Sequence, residues 1–222
     1  MPSVQFRRVP HWVERVWSCF ITCAIARAGS KFYGVDLVGF ATQLFDISGL
    51  VLVIPERFGD SRGWFSETYQ AERFKAAGID SDFLQDNHSM SAAKGTLRGL
   101  HYQSPPFAQA KLVRVLKGAI LDVAVDVRSG SPSYGRWVSA ELSAENGHQL
   151  FVPRGFLHGF LTLTSDTEIA YKVDNYYSKA CDGAVRWNDP DLAINWGIAS
   201  DAAILSDKDR EAPAFRDFKS PF

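Results

Sequence analysis

The sequence has 222 residues, and its 46% apolar and 13% aromatic content is enough to fill a sizeable core in one or two domains. Its 24 basic and 25 acidic residues nearly cancel, so there is no basic excess to attract nucleic acid, and any anion site must be a local pocket. Three cysteines are too few for a disulfide framework and indicate reduced thiols in the cytoplasm.

The N-terminal segment, residues 1–42, differs from the rest of the chain. Three arginines among the first 15 residues precede an apolar run that ends in small residues, a pattern typical of a signal peptide. That run of about ten residues is too short to span a membrane, and Arg27 interrupts the small residues. We favour an extension upstream of the functional start over a targeting segment, and we expect the domain to occupy residues 43–222.

The body of the chain begins with short segments separated by turn residues. "LVLVIP" (50–55) predicts a strand, "FGDSRG" (58–63) a turn, and "WFSET" (64–68) another extended segment. "YQAERFKAAG" (69–78) predicts a helix that stops at Gly78.

The segments that follow are rich in β-forming residues. They are DFLQDNHSM, TLRGLHYQ, KLVRVLKG, AILDVAVDVR, RWVSAELS, HQLFVPRG, LHGFLTLT and EIAYKVDNYY. The clearest alternation sets Asp122, Ala124 and Asp126 against a leucine and three valines. Many short strands without βαβ spacing predict an all-β antiparallel sandwich or barrel. We expect the loop-rich tail from residue 189 to fold back over it.

One histidine lies in the glycine-flanked strand "LRGLHYQ". Strict alternation puts Gly99, His101 and Gln103 on one face and Arg98 on the other. Arg98 and His101 can share a site only if the strand bulges or twists, and Gly99 is the residue that permits it. On these residues alone, His101 is either a proton-transfer group or a hydrogen-bonded structural histidine.

A lysine stands on an apolar face in "KLVRVLKG". Lys111, Val113 and Val115 project to the same side of the predicted strand. An ammonium there is costly without a partner, because burial disfavours its charged form. Lys111 therefore either reaches out at a rim or faces an anion inside the barrel.

The remaining candidates have structural readings as well as functional ones. His158 shares a predicted face with Phe160 and is either a packed histidine or a site residue. Tyr171, Tyr176 and Tyr177 serve as a phenolic acid, as stacking groups or as packing.

Motifs for other chemistries are missing from the sequence. The histidines show no H-x-H or other short ligand spacing, since Gly99 and Gln103 flank His101 at two residues, and we expect no metal. No P-loop, G-x-G-x-x-G or G-x-S-x-G occurs, so nucleoside triphosphatase, dinucleotide-dependent redox and serine hydrolase functions have no support.

Five blocks of sequence together resemble the dTDP-4-dehydrorhamnose 3,5-epimerase family, in the family's order, over roughly residues 43–213. They are FGDSRGWFSETY, FLQDNHSMSAAKGTLRGLHYQSPPFAQAKLVRVLKG, GSPSYGRWVSAELSAENGHQLFVPRGFLHGFLTL, YKVDNYYSKACDGAVRWNDPDLAINW and ILSDKDREAP. The family implies a jelly-roll (cupin-like) barrel, a homodimer, and no metal or organic cofactor. The implied activity converts dTDP-4-dehydro-6-deoxy-D-glucose to dTDP-4-dehydro-L-rhamnose, a precursor of cell-surface polysaccharide.

The resemblance implies a catalytic set. His101 is the base that removes a proton next to the C4 ketone, and Asp209 orients its ring. Tyr171 matches the acid that returns a proton from the opposite face. Lys111 matches the residue beside the C4 oxygen, where an ammonium stabilises developing negative charge.

The resemblance also implies substrate-binding positions. They are Arg62, Glu67, Gln85, Asp86, Asn87, Arg98, Lys111, His158, Tyr177, Asp182 and Lys208. Arginines suit a diphosphate because their planar fork makes two hydrogen bonds at once. Asp182 stands where family members often carry glutamate. The alignment near Asp209 needs one inserted residue, so Asp207 is an alternative partner for His101.

Two competing functions stay open. One is an epimerase that acts at C3 or C5 alone, or on another dTDP-4-ketosugar, since the same catalytic set serves both. The other is a non-enzymatic sugar-nucleotide-binding jelly roll, which keeps the arginines and aromatics but has no need for His101, Tyr171 and Lys111 together.

Overall fold

The computed structural model describes residues 36–37 and 39–222. Most of the predicted N-terminal extension, including the signal-like pattern, lies outside these residues. Among the helices in the described part, none has the length and apolar character to cross a membrane.

The described chain is built mainly from antiparallel strands. In chain order they are β1 (Asp36–Leu37), β2 (Phe40–Leu44), β3 (Val51–Pro55), β4 (Phe58–Asp60), β5 (Gly63–Phe65), β6 (Gln85–Ser91), β7 (Leu97–Gln103), β8 (Lys111–Lys117), β9 (Ala119–Asp126), β10 (Trp137–Ser143), β11 (Gln149–Val152), β12 (Phe156–Thr162), β13 (Thr167–Val173) and β14 (Asp182–Ala184). Two short α-helices, α1 (Ala71–Ala76) and α2 (Asp207–Arg210), and a 3-10 helix (Phe215–Asp217) complete the elements.

Two large sheets face each other across an apolar core. One has the order β1-β2-β3-β11-β8-β13-β6, and the other the order β10-β9-β12-β7-β14. Val113 and Leu150 from the first sheet pack against Ile120, Ala124 and Phe160 from the second. This two-sheet sandwich confirms the jelly-roll class that the sequence predicts.

A second core covers the outer face of the five-stranded sheet. Val123, Val125 and Leu157 on that face pack against Trp187 and Trp196 of the tail. The tail therefore folds back over the body, as predicted, and β9 is buried on both faces. As a result, the polar side of the β9 alternation points into the barrel rather than into solvent.

The predicted helix is shorter than expected. It covers Ala71–Ala76 rather than 69–78, because the Gln70 side chain accepts the N–H of Arg73 at 2.6 Å and so begins the helix there. Gly78 follows the helix at φ +85°, a left-handed conformation that suits glycine. Phe74 buries the inner side of the helix against Phe40 on the seven-stranded sheet.

The segment 58–63 is not wholly a turn, contrary to the prediction. It contributes β4 and the start of β5, which form a separate two-stranded hairpin. The turn is confined to Ser61 and Arg62, because Asp60 accepts the backbone N–H of Arg62 at 2.8 Å and closes the chain tightly.

Candidate active site

The strand that carries His101 breaks its alternation at Gly99. His101 pairs with His158 of β12 and Arg98 pairs with Phe160, so three steps along β7 match two along β12. Directly paired residues share a face, and Phe160 lies in the core between the sheets. Arg98 and His101 therefore both face the barrel interior, which is the arrangement that a shared site requires.

Close backbone packing explains why glycine stands at this break. A Cβ built on Gly99 would lie 2.5 Å from the Cα of Gly159, a distance that real side chains do not reach. Gly99 also has φ +134°, where a side chain would be strained. The bulge thus depends on two glycines in contact across β7 and β12.

His101 forms a close pair with Asp209. The distance from His101 Nε2 to Asp209 Oδ1 is 2.5 Å, the imidazole side chain is 29% exposed, and the carboxylate is 2% exposed. An ionised carboxylate only accepts hydrogen bonds, so Nε2 carries the proton and donates it. In neutral His101, Nδ1 is then free to accept a proton.

Helix α2 holds Asp209 in place. Ser206 caps the helix, since its Oγ accepts the N–H of Asp209 at 3.2 Å and donates to Asp209 Oδ2 at 2.7 Å. Burial raises the pKa of Asp209, but hydrogen bonds from His101, Ser206 and the Gly99 N–H outweigh it and hold the pKa below its usual value. Asp207, the alternative partner, is 91% exposed and pairs with Arg210 instead.

Lys111 lies on the interior face of β8, as the alternation indicates. Its neighbours in register are Val152 and Val173. Burial lowers the pKa of Lys111 to about 8, while the charges of Asp122 and Asp182 raise it and that of Lys208 lowers it. The ammonium is therefore still mostly charged at neutral pH, although it lies inside the barrel.

Tyr171 faces the same interior from the seven-stranded sheet, which is opposite the sheet that carries His101. It pairs with Val113 of β8 and Asn87 of β6, and it packs against the core between the sheets. Burial raises the pKa of the Tyr171 phenol, and the nearby Arg98 cation lowers it in part. At neutral pH the phenol is protonated and can act as an acid, and Arg98 on the strand of His101 is near enough to act on it electrostatically.

A second imidazole–carboxylate pair lies beside the first. His158 Nε2 is 2.7 Å from Asp122 Oδ1, and both side chains are almost fully buried. Burial lowers the pKa of His158 more than the Asp122 charge raises it, so the ring is neutral at pH 7. The sequence analysis overlooked Asp122, reading it as part of an ordinary polar face. The available clue was a pair of carboxylates on one side of a strand whose other side is apolar.

Three of the predicted binding residues meet at one end of the interior. Lys208 Nζ donates to Asp182 Oδ2 at 2.5 Å, and the Tyr177 hydroxyl donates to the same oxygen at 3.3 Å. Asp182 of β14 pairs with Gln103 of β7, two residues along from the pair of Ala184 with His101. This cluster therefore borders the His101–Asp209 pair.

The segment Gln85–Asn87 divides between two faces. Gln85 donates to Asn87 at 2.8 Å, and both share the interior face with Tyr171. Asp86 points to the outer face, where Lys172 binds it at 2.9 Å. Asp86 lines a cavity of about 220 Å³ on that side, and so the structure does not bring it to the residues around His101.

Two further predicted binding residues also lie apart from His101. Arg62 is at the tip of the β4–β5 hairpin, with an 88% exposed side chain that pairs with Asp60. Glu67 pairs with Arg73 of α1 at 2.8 Å. Trp64 of the same hairpin lines a small cavity with Arg57, Arg114 and Leu116, which places the hairpin beside the seven-stranded sheet.

The grouped residues are suited to proton transfer at carbon. An imidazole oriented by a carboxylate supplies a base, a protonated phenol supplies an acid, and a buried ammonium stabilises negative charge on oxygen. Within residues 36–37 and 39–222, no three His, Cys, Asp or Glu side chains group as a metal site.

Known proteins share this sequence and fold. The family model described as dTDP-4-dehydrorhamnose 3,5-epimerase matches residues 45–217. The enzyme of that name from Sinorhizobium fredii is 51% identical over 181 residues, covering 82% of this chain and 92% of its own.

Solved structures add two relatives. The dTDP-6-deoxy-D-glucose-3,5-epimerase RmlC of Legionella pneumophila, in complex with dTDP-4-keto-L-rhamnose, has TM-score 0.77 and 42% identity, covering 81% of this chain and 95% of its own. ChmJ, a 3′-monoepimerase from Streptomyces bikiniensis in complex with dTDP-quinovose, has TM-score 0.70 and 36% identity, covering 77% and 85%.

Proposed function

This chain belongs to the dTDP-4-dehydrorhamnose 3,5-epimerase family, and we propose that it converts dTDP-4-dehydro-6-deoxy-D-glucose to dTDP-4-dehydro-L-rhamnose. The observation that carries the proposal is the 2.5 Å contact between His101 Nε2 and the buried Asp209 carboxylate. It leaves Nδ1 as an acceptor on a ring that is still partly open to solvent.

The reaction begins with proton removal. His101 Nδ1 takes the proton from C3 or C5, each of which is adjacent to the C4 ketone. The C–H electron pair forms a carbon–carbon double bond with C4, and the carbonyl oxygen becomes an enolate oxygen. The Lys111 ammonium stabilises that charge, and Asp209 stabilises the imidazolium that forms.

Inversion requires that the proton returns from the other side. The Tyr171 phenol donates it to the carbon and the enolate collapses to the ketone. The His101 imidazolium then releases its proton to solvent, and the Tyr171 phenolate takes one back. Tyr171 projects from the seven-stranded sheet and His101 from the five-stranded sheet, so the two groups approach the interior from opposite walls. The same cycle at the second carbon completes the epimerisation.

The remaining predicted ligands suit a sugar nucleotide. Arg98 supplies a planar cation for a diphosphate beside the catalytic groups. Gln85, Asn87 and His158 offer hydrogen bonds from the interior face, and the cluster of Tyr177, Asp182 and Lys208 lies at its border.

We further propose a cytoplasmic homodimer. Phe58, Trp64 and Phe65 on the β4–β5 hairpin are each more than half exposed, an unusual concentration of aromatic surface. A second copy would cover it, and the hairpin would carry Arg62 toward that copy's site.

Solvent-exchange NMR tests the reaction. In D₂O the wild-type protein is expected to incorporate deuterium at C3 and C5 of the product with inversion at both. His101→Ala is expected to abolish exchange while nucleotide binding persists. Tyr171→Phe is expected to retain exchange with little inversion, since the base still works and the opposite acid is lost.

The competing functions give different results in the same experiment. Deuterium at one carbon only would indicate a single-position epimerase, as ChmJ is described to be. Binding of the sugar nucleotide with no exchange in the wild-type protein would indicate the non-enzymatic alternative. Undiminished turnover by His101→Ala would remove the proposed base.

A further inference from the structure

Asp122 on β9 has a carboxylate that the described structure only half satisfies. Its Oδ1 is 2.7 Å from His158 Nε2, whereas its Oδ2 is buried and has no hydrogen-bond partner in the described part of the chain. A buried carboxylate oxygen without a partner is costly, so its presence calls for an explanation beyond packing.

A second buried carboxylate on the same strand shows what a structural role looks like. Asp126 accepts hydrogen bonds from the side chains of Arg128, Ser131 and Ser133 and from the Arg128 N–H. Both of its oxygens are satisfied, and those contacts close the turn after β9. Asp122 has no comparable set of hydrogen-bond donors. The charged groups around it are residues of the candidate active site.

We propose that Asp122 is a positioning residue of the active site, which fixes the tautomer of His158 through Oδ1 and whose negative charge favours the cationic form of Lys111. The proposal rests on the proposed function, since it gives both neighbours a role toward the sugar. It also explains why a strand buried on both faces carries a charge at this place.

The tautomer follows from the hydrogen bond. A carboxylate only accepts, so the neutral His158 ring must carry its proton on Nε2 and donate it to Asp122. The other nitrogen, Nδ1, is then an acceptor. Because His158 lies directly opposite His101, that acceptor is available to a sugar hydroxyl next to the reacting carbon.

The effect on Lys111 is electrostatic. Burial disfavours the ammonium, and the carboxylates of Asp122 and Asp182 oppose that effect, while Lys208 adds to it. No ion pair within 4.0 Å joins Lys111 to Asp122 in the described residues. The Asp122 charge therefore acts on the Lys111 ammonium without direct contact.

Asp122→Asn is the informative substitution because an amide cannot replace both oxygens. If its oxygen accepts from His158, the tautomer is kept but the negative charge that favours the Lys111 ammonium is lost. If its NH₂ donates to His158 instead, the ring must move its proton to Nδ1. Asp126→Asn is the matched control, since it lies on the same strand and is equally buried but contacts no site residue.

The first test reads the two neighbours directly and does not depend on turnover. Nitrogen-15 NMR of wild-type protein is expected to show His158 protonated on Nε2, and carbon-13 NMR of the lysine side chains gives the pKa of Lys111. In Asp122→Asn the Lys111 pKa is expected to fall below its wild-type value of about 8. Asp126→Asn is expected to leave both readings unchanged.

The second test uses pH-dependent kinetics of the full-length chain. Asp122→Asn is expected to lower kcat by about 10- to 100-fold, the range for carboxylates that orient a histidine from behind. Its KM should change less than its kcat, and the alkaline limb of its kcat/KM profile should move to lower pH. A carboxylate that served only stability would lower the melting temperature and leave this limb in place.

Each outcome of these two tests either supports or overturns the proposal. An Nδ1-protonated His158 in the wild-type protein overturns the proposal even if Asp122→Asn does not fold. A variant with unchanged Lys111 pKa, alkaline limb and kcat also overturns it. If wild-type protein shows the expected tautomer and coupling but no epimerisation, the proposed function fails and the positioning of the two side chains stands.

Discussion

Two imidazole–carboxylate pairs stand side by side on β7 and β12, and their differences are instructive. In the pair of His158 with Asp122, both residues belong to one sheet, and both are almost fully buried. In the pair of His101 with Asp209, the carboxylate arrives on helix α2 of the tail, and the ring is 29% exposed. The same two types of side chain thus lie in different electrostatic surroundings in the two pairs.

On the proposed function, that difference suits His158 to holding the ligand and His101 to proton transfer. Burial disfavours a charged imidazole, and His158 therefore stays neutral and suits hydrogen bonding to a ligand. His101 has solvent access and a buried anion behind it, which together allow its ring to gain and lose a proton during each cycle. A third pair, His88 with Glu168, is exposed on the outer face and has neither property.

The most direct test of this difference replaces the imidazoles of His101 and His158 in turn. His101→Asn is expected to lower kcat by about 10⁴-fold, the upper end of the effect of a positioned base. His158→Asn is expected to raise KM and to retain deuterium exchange, because the base remains. Steady-state kinetics and exchange in D₂O measure both. Equal loss of exchange in the two variants would contradict the separate roles.

The next test removes the anion behind the base. Asp209→Asn is expected to lower kcat by roughly 10²- to 10³-fold, because the amide no longer stabilises the imidazolium. Thermal melts at pH 7 would show whether the fold survives the change. Activity within twofold of wild type would show that His101 works without its partner.

The same variant gives a pH dependence of stability. The pKa of Asp209 is lowered on folding, so the ionised group contributes stability above its unfolded pKa near 3.8 and loses it as pH falls through the lowered value. Asp209→Asn should therefore cost about 1–3 kcal/mol in unfolding free energy at pH 7. Urea denaturation should show that the difference in unfolding free energy between wild type and variant becomes smaller below about pH 4. A difference that does not change with pH would argue against an ionised Asp209 carboxylate beside His101.

The contact between Gly99 and Gly159, which aligns the two pairs, can be tested with a smaller substitution. Gly99→Ala is expected to cost about 2–4 kcal/mol of unfolding free energy, from strain at positive φ and the clash with Gly159. Gly130→Ala is the control, since Gly130 has φ +80° with no atom near its missing Cβ, and should cost about 1–2 kcal/mol. Urea denaturation measures both. Equal costs would mean that the close approach is not what requires glycine.

The smallest effect is expected at the exposed pair. His88→Gln should change the unfolding free energy by less than about 1 kcal/mol, because solvent screens an exposed ion pair. Its kcat should equal that of wild type, as His88 faces away from the interior. A large kinetic effect would indicate that the outer face communicates with the site.

The sequence pattern predicts the sheets better than it predicts their surroundings. The alternation of β9 and the glycine break in β7 follow from side-chain period and backbone freedom, which are local properties. That pattern does not reveal that β9 is covered on both faces, because the cover comes from Trp187 and Trp196 far along the chain. The alternation alone therefore does not identify Asp122 as a residue of the interior.

The site shows the same division between local and distant information. Lys111 was recognised as unusual from its own strand, since a charge on an apolar face needs an explanation. The partnership of His101 with Asp209 joins residues 108 apart and came only from the family resemblance. Neither spacing nor composition specifies where helix α2 docks, because that depends on how the tail packs.

The position of Asp209 on the tail has a consequence for how the protein is made. A ribosome synthesises the strands of both sheets before it reaches helix α2, so a nascent chain can contain every strand while its imidazole still lacks the anion. Premature termination after β14 would leave His101 without the Asp209 carboxylate and Val123, Val125 and Leu157 uncovered. On the proposed function, activity therefore begins only after this short segment has been synthesised and has packed on the sheets.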